Sequence, residues 1–312
     1  HDRKLQASRC MECGVPFCHW ACPLGNKQPE FQDALYKGKW REAYQVLNET
    51  NDFPEFTGRI CPALCEKSCV LKLSCDAPVT IRENEAAIAE AAFREGYVVP
   101  ARPKRNGKKI AVIGAGPSGL SVAVRLNARG YEVTIFDSKP MPGGLLRYGI
   151  PNYRFPRERL QEDIDTILST GVEVKLNTRV GNGEGEISYN KLHEEYDAVY
   201  IAIGAHTDKK IGIEGEDANG VMSAVEMLRR IGDDDMPDFK DKTVVVVGGG
   251  NVAMDCTRSA IRLGAKKVGI AYRRRQTDMT ALPEEVEGAI AEGAELYSLK
   301  APHKIEADEN GN

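Results

Sequence analysis

Residues 109–137 constrain the fold more than any other stretch. Residues 109–113 (KIAVI) read as an apolar strand, and Gly114-Ala115-Gly116-Pro117-Ser118-Gly119 is a G-x-G-x-x-G turn. Residues 120–129 carry a helical apolar pattern closed by Gly130, and residues 132–136 form a second strand that delivers Asp137. Gly114 makes the tight turn, Gly116 lets a pyrophosphate approach the backbone, and Gly119 lets helix and strand pack closely. The helix N-terminus then faces the phosphates. Asp137 follows Gly119 by 137 − 119 = 18 positions, where an acid accepts hydrogen bonds from the ribose hydroxyls of an adenine dinucleotide. A glycine-rich loop without a ligand is the bland alternative, and the strand, helix and acid in register stand against it. The chain is therefore expected to be α/β.

The pattern repeats downstream. Residues 242–247 are an apolar strand, Gly248-Gly249-Gly250-Asn251-Val252-Ala253 is the turn, 254–263 a helix and 267–271 the next strand. Ala253 takes the third glycine's place, which the fingerprint allows. Tyr272-Arg273-Arg274-Arg275 stands where the first unit has Asp137. Guanidinium groups there suit the 2′-phosphate of NADP rather than the free hydroxyl of NAD; a solvated basic turn is the alternative. Two different dinucleotide sites imply a bound flavin in the first and an exchanging nicotinamide in the second. Between them, Met141-Pro142-Gly143-Gly144-Leu145-Leu146-Arg147-Tyr148-Gly149-Ile150-Pro151 is too rich in glycine and proline for a regular element and is expected to pass close to a ligand. Residues 156–168 read as a helix, 172–176 as a strand, and 198–203 as a buried strand. The Gly204 that follows allows close backbone approach or a plain turn.

Eight of the nine cysteines precede residue 76. The first set is Cys10-x2-Cys13-x4-Cys18-x3-Cys22-Pro23, and the second is Cys61-x3-Cys65-x3-Cys69 with Cys75 beyond. Iron–sulfur clusters need soft thiolate donors, and cysteine runs closed by Cys-Pro supply them. Paired zinc sites are the competitor, but they favour C-x2-C pairs and the second set has none. A helical stretch over 29–48, in which Trp40 and Tyr44 read as core, folds the second set back towards the first. Another helix covers 79–93, and residues 96–107 read as a linker. Counting alone makes Cys75 the eighth ligand. The last helix, 283–292, carries Glu284, Glu285 and Glu287 as a solvated acidic face, and residues 308–312 look like the bend of a hairpin.

With 42 basic and 46 acidic residues the net charge is −4, which gives no general attraction to nucleic acid or acidic membrane. No apolar run approaches a membrane span, and the N-terminus has no signal-peptide core. A cytoplasmic protein is expected. The histidines are scattered and no hydrolase constellation is present, so no general acid or base is assigned.

The sequence resembles the small (beta) subunit of bacterial glutamate synthase and its relatives. Among these are the N-terminal half of dihydropyrimidine dehydrogenase and the large subunit of the bifurcating ferredoxin:NADP transhydrogenase. The likeness covers nearly the whole chain. It rests on Cys10-Met-Glu-Cys13-Gly-Val-Pro-Phe-Cys18, Gly58-Arg-Ile-Cys61-Pro, Cys65-Glu-Lys-Ser-Cys69, the 143–151 segment and Gly248-Gly-Gly-Asn-Val-Ala-Met-Asp255. It implies a helical domain with two [4Fe-4S] clusters over 1–104, an FAD domain over 105–238 and a truncated NADP domain over 239–312, the latter two of the glutathione-reductase type. It implies that one cluster uses Cys10, Cys13, Cys18 and Cys69, and the other Cys22, Cys61, Cys65 and the carboxylate of Glu85, with Cys75 as the alternative. In such chains the NADP domain is an insertion followed by a return to the flavin domain. That segment is not in this sequence, so a fragment, or a polypeptide that holds FAD weakly by itself, is expected. The implied activity is electron input from NADPH through FAD and two clusters to a partner subunit. Glutamate synthase is the first candidate for that partner, with a bifurcating transhydrogenase, a hydrogenase or a non-catalytic relay as alternatives.

Overall fold

Apolar residues at helical spacing fold the first hundred positions into helices. These are α1 (Asp2–Ala7), α2 (Phe17–Ala21), α3 (Gln28–Tyr36), α4 (Trp40–Asn48), α5 (Pro54–Ile60), α6 (Leu64–Lys67), α7 (Leu71–Cys75) and α8 (Ile81–Arg94). The fold was obtained as a computed structural model, which describes residues 2–307 and 309; the expected hairpin bend at 308–312 lies, Glu309 apart, outside them. The single helix expected over 29–48 is two, because Gly38 adopts φ +74° and breaks the run between α3 and α4. Phe31, Leu35, Leu47 and Ile88 are fully buried at the centre of the head, with Trp40 and Tyr44 packed against them; each such side chain contributes about 1.5–3 kcal/mol. Helices α5 and α8 cross at small residues: a Cβ on Gly58 would stand 2.6 Å from the Ala86 amide nitrogen.

The chain then builds β1 (Lys109–Ile113), α9 (Pro117–Asn127), β2 (Glu132–Phe136), α10 (Leu145–Tyr148), α11 (Arg157–Ser169), β3 (Glu173–Lys175), α12 (Tyr189–Glu195) and β4 (Ala198–Ile201). The strands form a parallel sheet in the order β3-β2-β1-β4. Helix α9 starts at Pro117, earlier than its apolar pattern suggested, because Pro at the first helical position is preset for the turn. The head is joined to α9 by Asp52, which accepts from Ser121 Oγ at 2.5 Å and pairs with Arg125 Nε at 2.7 Å. Strand β4, expected to be buried, is not: it is the sheet's edge, and Ile201 is 57% exposed. The head and this sheet make one compact unit, which takes in the residues up to Gly144 and Asn152–Ile203.

The second unit comprises Leu145–Pro151 and the residues from Gly204 onward. It contains α10, α13 (Ala224–Gly232), β5 (Thr243–Val247), α14 (Asn251–Arg262), β6 (Lys267–Tyr272), α15 (Pro283–Ala291) and β7 (Glu295–Ser298). Its strands are parallel in the order β5-β6-β7. Two expectations change here. The 143–151 segment does hold a turn of helix, α10, and α13 packs on it so closely that a Cβ on Gly232 would stand 2.6 Å from Tyr148 Cα. Glu285 is not simply solvated, since its carboxylate pairs with Arg258 at 2.9 Å. Among the described residues no helix is long and apolar enough to cross a membrane.

Candidate functional site

The cysteines sit at helix ends, where the backbone can turn a thiol inward. Cys10 follows α1 with its amide on Ala7 O, Cys18 lies in α2, Cys22 caps α2, Cys61 caps α5, and Cys65 and Cys69 lie in and just beyond α6. Glu12 and Ala63 have φ of 49° and 51°, unusual for residues with a side chain. Each occupies the second position after a cysteine, and its amide donates to that cysteine's sulfur, Glu12 to Cys10 and Ala63 to Cys61. Backbone strain of this kind collects at ligand-holding loops.

The sulfurs fall into two groups. Cys10, Cys13, Cys18 and Cys69 line one cavity of about 30 Å³, larger than the ~10–15 Å³ that one water needs. Burial, then Cys13 and Cys69 nearby, pushes the Cys10 thiol up; burial, then Cys10 and Cys69, pushes Cys18 up to about 11. In the second group, burial, then Glu85 and Cys22, raises Cys61; burial, then Glu66, Glu85, Cys61 and Cys22, raises Cys65. Four such groups can all be held deprotonated in so dry a place only with a cationic centre among them. The donor chemistry therefore fits two polynuclear thiolate sites. Among the described residues no three His, Cys, Asp or Glu side chains converge as tightly as a single ion demands.

Glu85 lies on α8 and is 5% exposed. Asn51 Nδ2 donates to its Oε1 at 2.6 Å, Thr57 Oγ1 donates to the same oxygen, and burial lifts the carboxyl to about 7 against those two bonds. Asn51 is itself fixed, because its Oδ1 accepts from the Phe53 amide at 3.0 Å and its Nδ2 also reaches Thr57 Oγ1 at 2.8 Å. Cys75 is exposed at the end of α7, where its thiol donates to Leu71 O at 3.2 Å. No sequence signal marked Asn51 and Thr57, since their role depends on a carboxylate 34 and 28 positions away.

At the first glycine turn, a Cβ on Gly119 would lie 1.9 Å from Gly114 O, and one on Gly144 would lie 2.6 Å from Gly116 Cα. Two backbone segments thus meet where only glycine fits, and Gly143 N donates to Ala115 O at 2.8 Å. A Cβ on Gly116 would meet nothing closer than Gly144 Cα at 3.8 Å, and Ser118 at the start of α9 is exposed. Asp137 accepts from the Ala115 amide at 2.6 Å and the Lys139 amide at 2.8 Å, one on each oxygen. This braced turn with an anchored carboxylate fits the adenine half of a dinucleotide. Leu145, Arg147, Gly149 and Ile150 belong to the other unit. There the Gly149 and Ile150 amides close α10 onto Leu145 O, at 3.0 and 3.1 Å, and Arg147 is buried. Gly204 is exposed with φ +69°, the geometry of a turn.

The second turn is braced differently. Asn251 Oδ1 accepts from Leu282 N and Gly249 O accepts from Ala281 N, both at 2.9 Å, while Val252 at the start of α14 is exposed. Beyond β6, Arg273 and Arg274 are exposed, with the Arg274 guanidinium 5.6 Å from the Tyr272 ring centroid; Arg275 pairs with Asp278. The turn with Gly248, Gly250 and Asn251 and the two arginines thus belong to one βαβ unit.

Comparison with known proteins bears on both regions. Residues 1–97 match the model described as dihydropyrimidine dehydrogenase domain II, 4Fe-4S cluster, and residues 108–305 match pyridine nucleotide-disulphide oxidoreductase. The chain is 39% identical over 325 residues to the glutamate synthase [NADPH] small chain of Escherichia coli K12, covering 99% of this chain and 67% of that one. The chain belongs to the glutamate synthase small-chain family. A further member, from Mycobacterium tuberculosis H37Rv, is 43% identical over 275 residues, covering 84% of this chain and 56% of that one. The NADP(+)-dependent formate dehydrogenase subunit beta of Moorella thermoacetica is 38% identical over 319 residues, covering 95% and 44%. The chain thus spans between about half and two thirds of the length of these small chains. Among solved structures, FprA from Mycobacterium tuberculosis superposes with a TM-score of 0.54 at 22% identity, over 64% of this chain and 61% of that one. That likeness is one of fold.

Proposed function

We propose that this chain is the electron-input part of a glutamate synthase-type oxidoreductase, taking electrons from NADPH and passing them singly to a partner subunit. The observation that carries it is the sorting of the sulfurs: Cys10, Cys13, Cys18 and Cys69 about one cavity, and Cys61 and Cys65 each with Cys22 and Glu85 near enough to raise its thiol, on the same chain as two dinucleotide turns. We assign the first set and the second set, with Glu85 Oε2, as ligands of two [4Fe-4S] clusters. The local bond of the Cys75 thiol supports leaving it out. FAD, when bound, supplies the conversion of a two-electron donor into single electrons. Gly114, Gly116, Pro117, Ser118, Gly119 and Gly144 bring backbone to its phosphates and Asp137 takes the ribose. Leu145, Arg147, Gly149, Ile150 and Gly204 remain proposed contacts. Gly248, Gly250, Asn251 and Val252 present α14 to NADPH, and Arg273 and Arg274 take its 2′-phosphate. We place the protein in the cytoplasm, where thiols stay reduced. The formate dehydrogenase relative favours a second reading, the same module serving a different partner.

The test is anaerobic purification with iron, sulfide, zinc and flavin assays, followed by the visible spectrum as NADPH or NADH is added. About eight irons with flavin bleached preferentially by NADPH is the expected result. Zinc in place of iron, or iron without reducible flavin, overturns the proposal.

A further inference from the structure

Gln28 and Gln32 stand one turn apart on α3, are 2% and 1% exposed, and both line the cavity of Cys10, Cys13, Cys18 and Cys69. The Gln32 amide is held from behind: its Oε1 accepts from Asn84 Nδ2 at 2.7 Å, and Asn84 is fully buried. Its Nε2 is buried and has no hydrogen-bond partner among the described residues. A buried donor left unsatisfied destabilises the fold and calls for an explanation. Apart from Ser68, whose hydroxyl donates to Leu64 O and Cys65 O, the rest of the wall is sulfur and hydrocarbon, and anionic sulfur accepts hydrogen bonds.

We propose that Gln32 is a positioning residue whose Nε2–H donates to a sulfur of the group held by Cys10, Cys13, Cys18 and Cys69. This rests on those four cysteines holding a cluster. The orientation follows from electrostatics. Turning the Gln32 amide alone sets its Nε2 against Asn84 Nδ2, donor to donor. Turning both amides restores their bond but aims a carbonyl oxygen at four sulfurs. Gln28, whose Oε1 is also unpartnered, becomes a second donor by a half-turn of its amide. Asn84 directly precedes Glu85, so α8 steadies a donor at one site and carries the carboxylate of the other. A donor near the sulfurs favours the reduced, more negative state and raises the potential of that site.

The experiment uses the full chain, loaded with iron and sulfide anaerobically. Midpoint potentials are read by spectroscopic titration and iron release to a chelator is timed for Gln32→Met, Asn84→Leu and Cys69→Ser. Cys69→Ser identifies which midpoint belongs to this site. The expected result is that Gln32→Met moves that midpoint, and not the other, to more negative potential and releases that site's iron about tenfold faster. Asn84→Leu moves the same midpoint the same way by less, and carries the test if Gln32→Met does not fold. Lowered thermal stability with unmoved midpoints in the variants that fold overturns the donor role and leaves Gln32 as packing. If Cys69→Ser leaves both clusters complete, the ligand assignment fails and the proposal with it.

Discussion

The two glycine turns share a backbone plan and differ in what braces them. At the first, four consecutive residues of β1 are buried, the Gly143-Gly144 segment presses against Gly116, and Asp137 at the end of the next strand ties back to Ala115 and Lys139. At the second, β5 alternates between half-buried and exposed, with Val245 58% exposed, and the bracing comes from downstream, through Ala281 and Leu282. The strand end that holds a carboxylate in the first unit holds exposed arginines in the second. A turn locked on three sides suits a dinucleotide that stays, and an open turn flanked by guanidiniums suits one that comes and goes. The difference between a bound flavin and an exchanging NADPH is thus proposed to lie in the bracing rather than in the glycines.

The largest expected effect breaks the first turn and spares the second. In Gly119→Ala the new methyl would lie 1.9 Å from Gly114 O, a backbone atom that cannot swing aside. The equivalent position of the second turn already carries Ala253. Gly119→Ala is expected to lose flavin by more than ~10-fold, measured as the flavin-to-protein ratio after gel filtration. Ala253→Gly is expected to cost about 1 kcal/mol of helix stability with NADPH affinity nearly unchanged. Equal losses in both variants would show that the two turns are built alike.

How far the sequence reveals this asymmetry depends on the range of the forces involved. Strands β1 and β2 stand where their apolar runs put them, because a buried parallel strand is written in consecutive residues. The break at Gly38 was missed because a single glycine inside an amphipathic stretch leaves the periodicity intact. The exposure of β4 and β5 was illegible for another reason: apolarity says what a strand can bury, and Ile201 and Val245 find no cover among the described residues. Glu285 looked solvated until Arg258, 27 positions earlier, came within 2.9 Å. Gln32 did leave a trace, as a polar residue in the same stripe of α3 as Phe31 and Leu35. Its meaning required knowing that Asn84 holds it from 52 positions away.

A smaller effect is expected at the second site. Exchanging Arg273 and Arg274 for Gln removes two charges that the structure leaves exposed, so the fold should be untouched. Hydrogen bonds to charged groups are worth about 1.5–3 kcal/mol, which at 1.4 kcal/mol per decade corresponds to roughly 10–100-fold weaker NADPH binding. NADH, which lacks the 2′-phosphate, should bind almost as before. Equal losses for the two cofactors, measured by titration, would sink the 2′-phosphate assignment and return the arginines to a solvated turn.

The smallest expected effect tests whether Asp137 serves the ligand or the turn. Its two oxygens each face a backbone N–H, at 2.6 and 2.8 Å. An asparagine of the same size must therefore set its NH₂ against one of two donors. The loss is on the order of 1 kcal/mol, because the site is half-exposed and water screens it. If bracing is the main role, Asp137→Asn lowers the melting temperature of the flavin-free protein by a few degrees, the flavin is retained less well in proportion, and the second site is unaffected. If recognition of the ribose is the main role, the flavin-free protein melts as before and only flavin retention falls. The first outcome is expected, because the carboxylate is engaged by two backbone amides before any ligand arrives. It would make the strand-end acid part of the lock that distinguishes the first turn from the second.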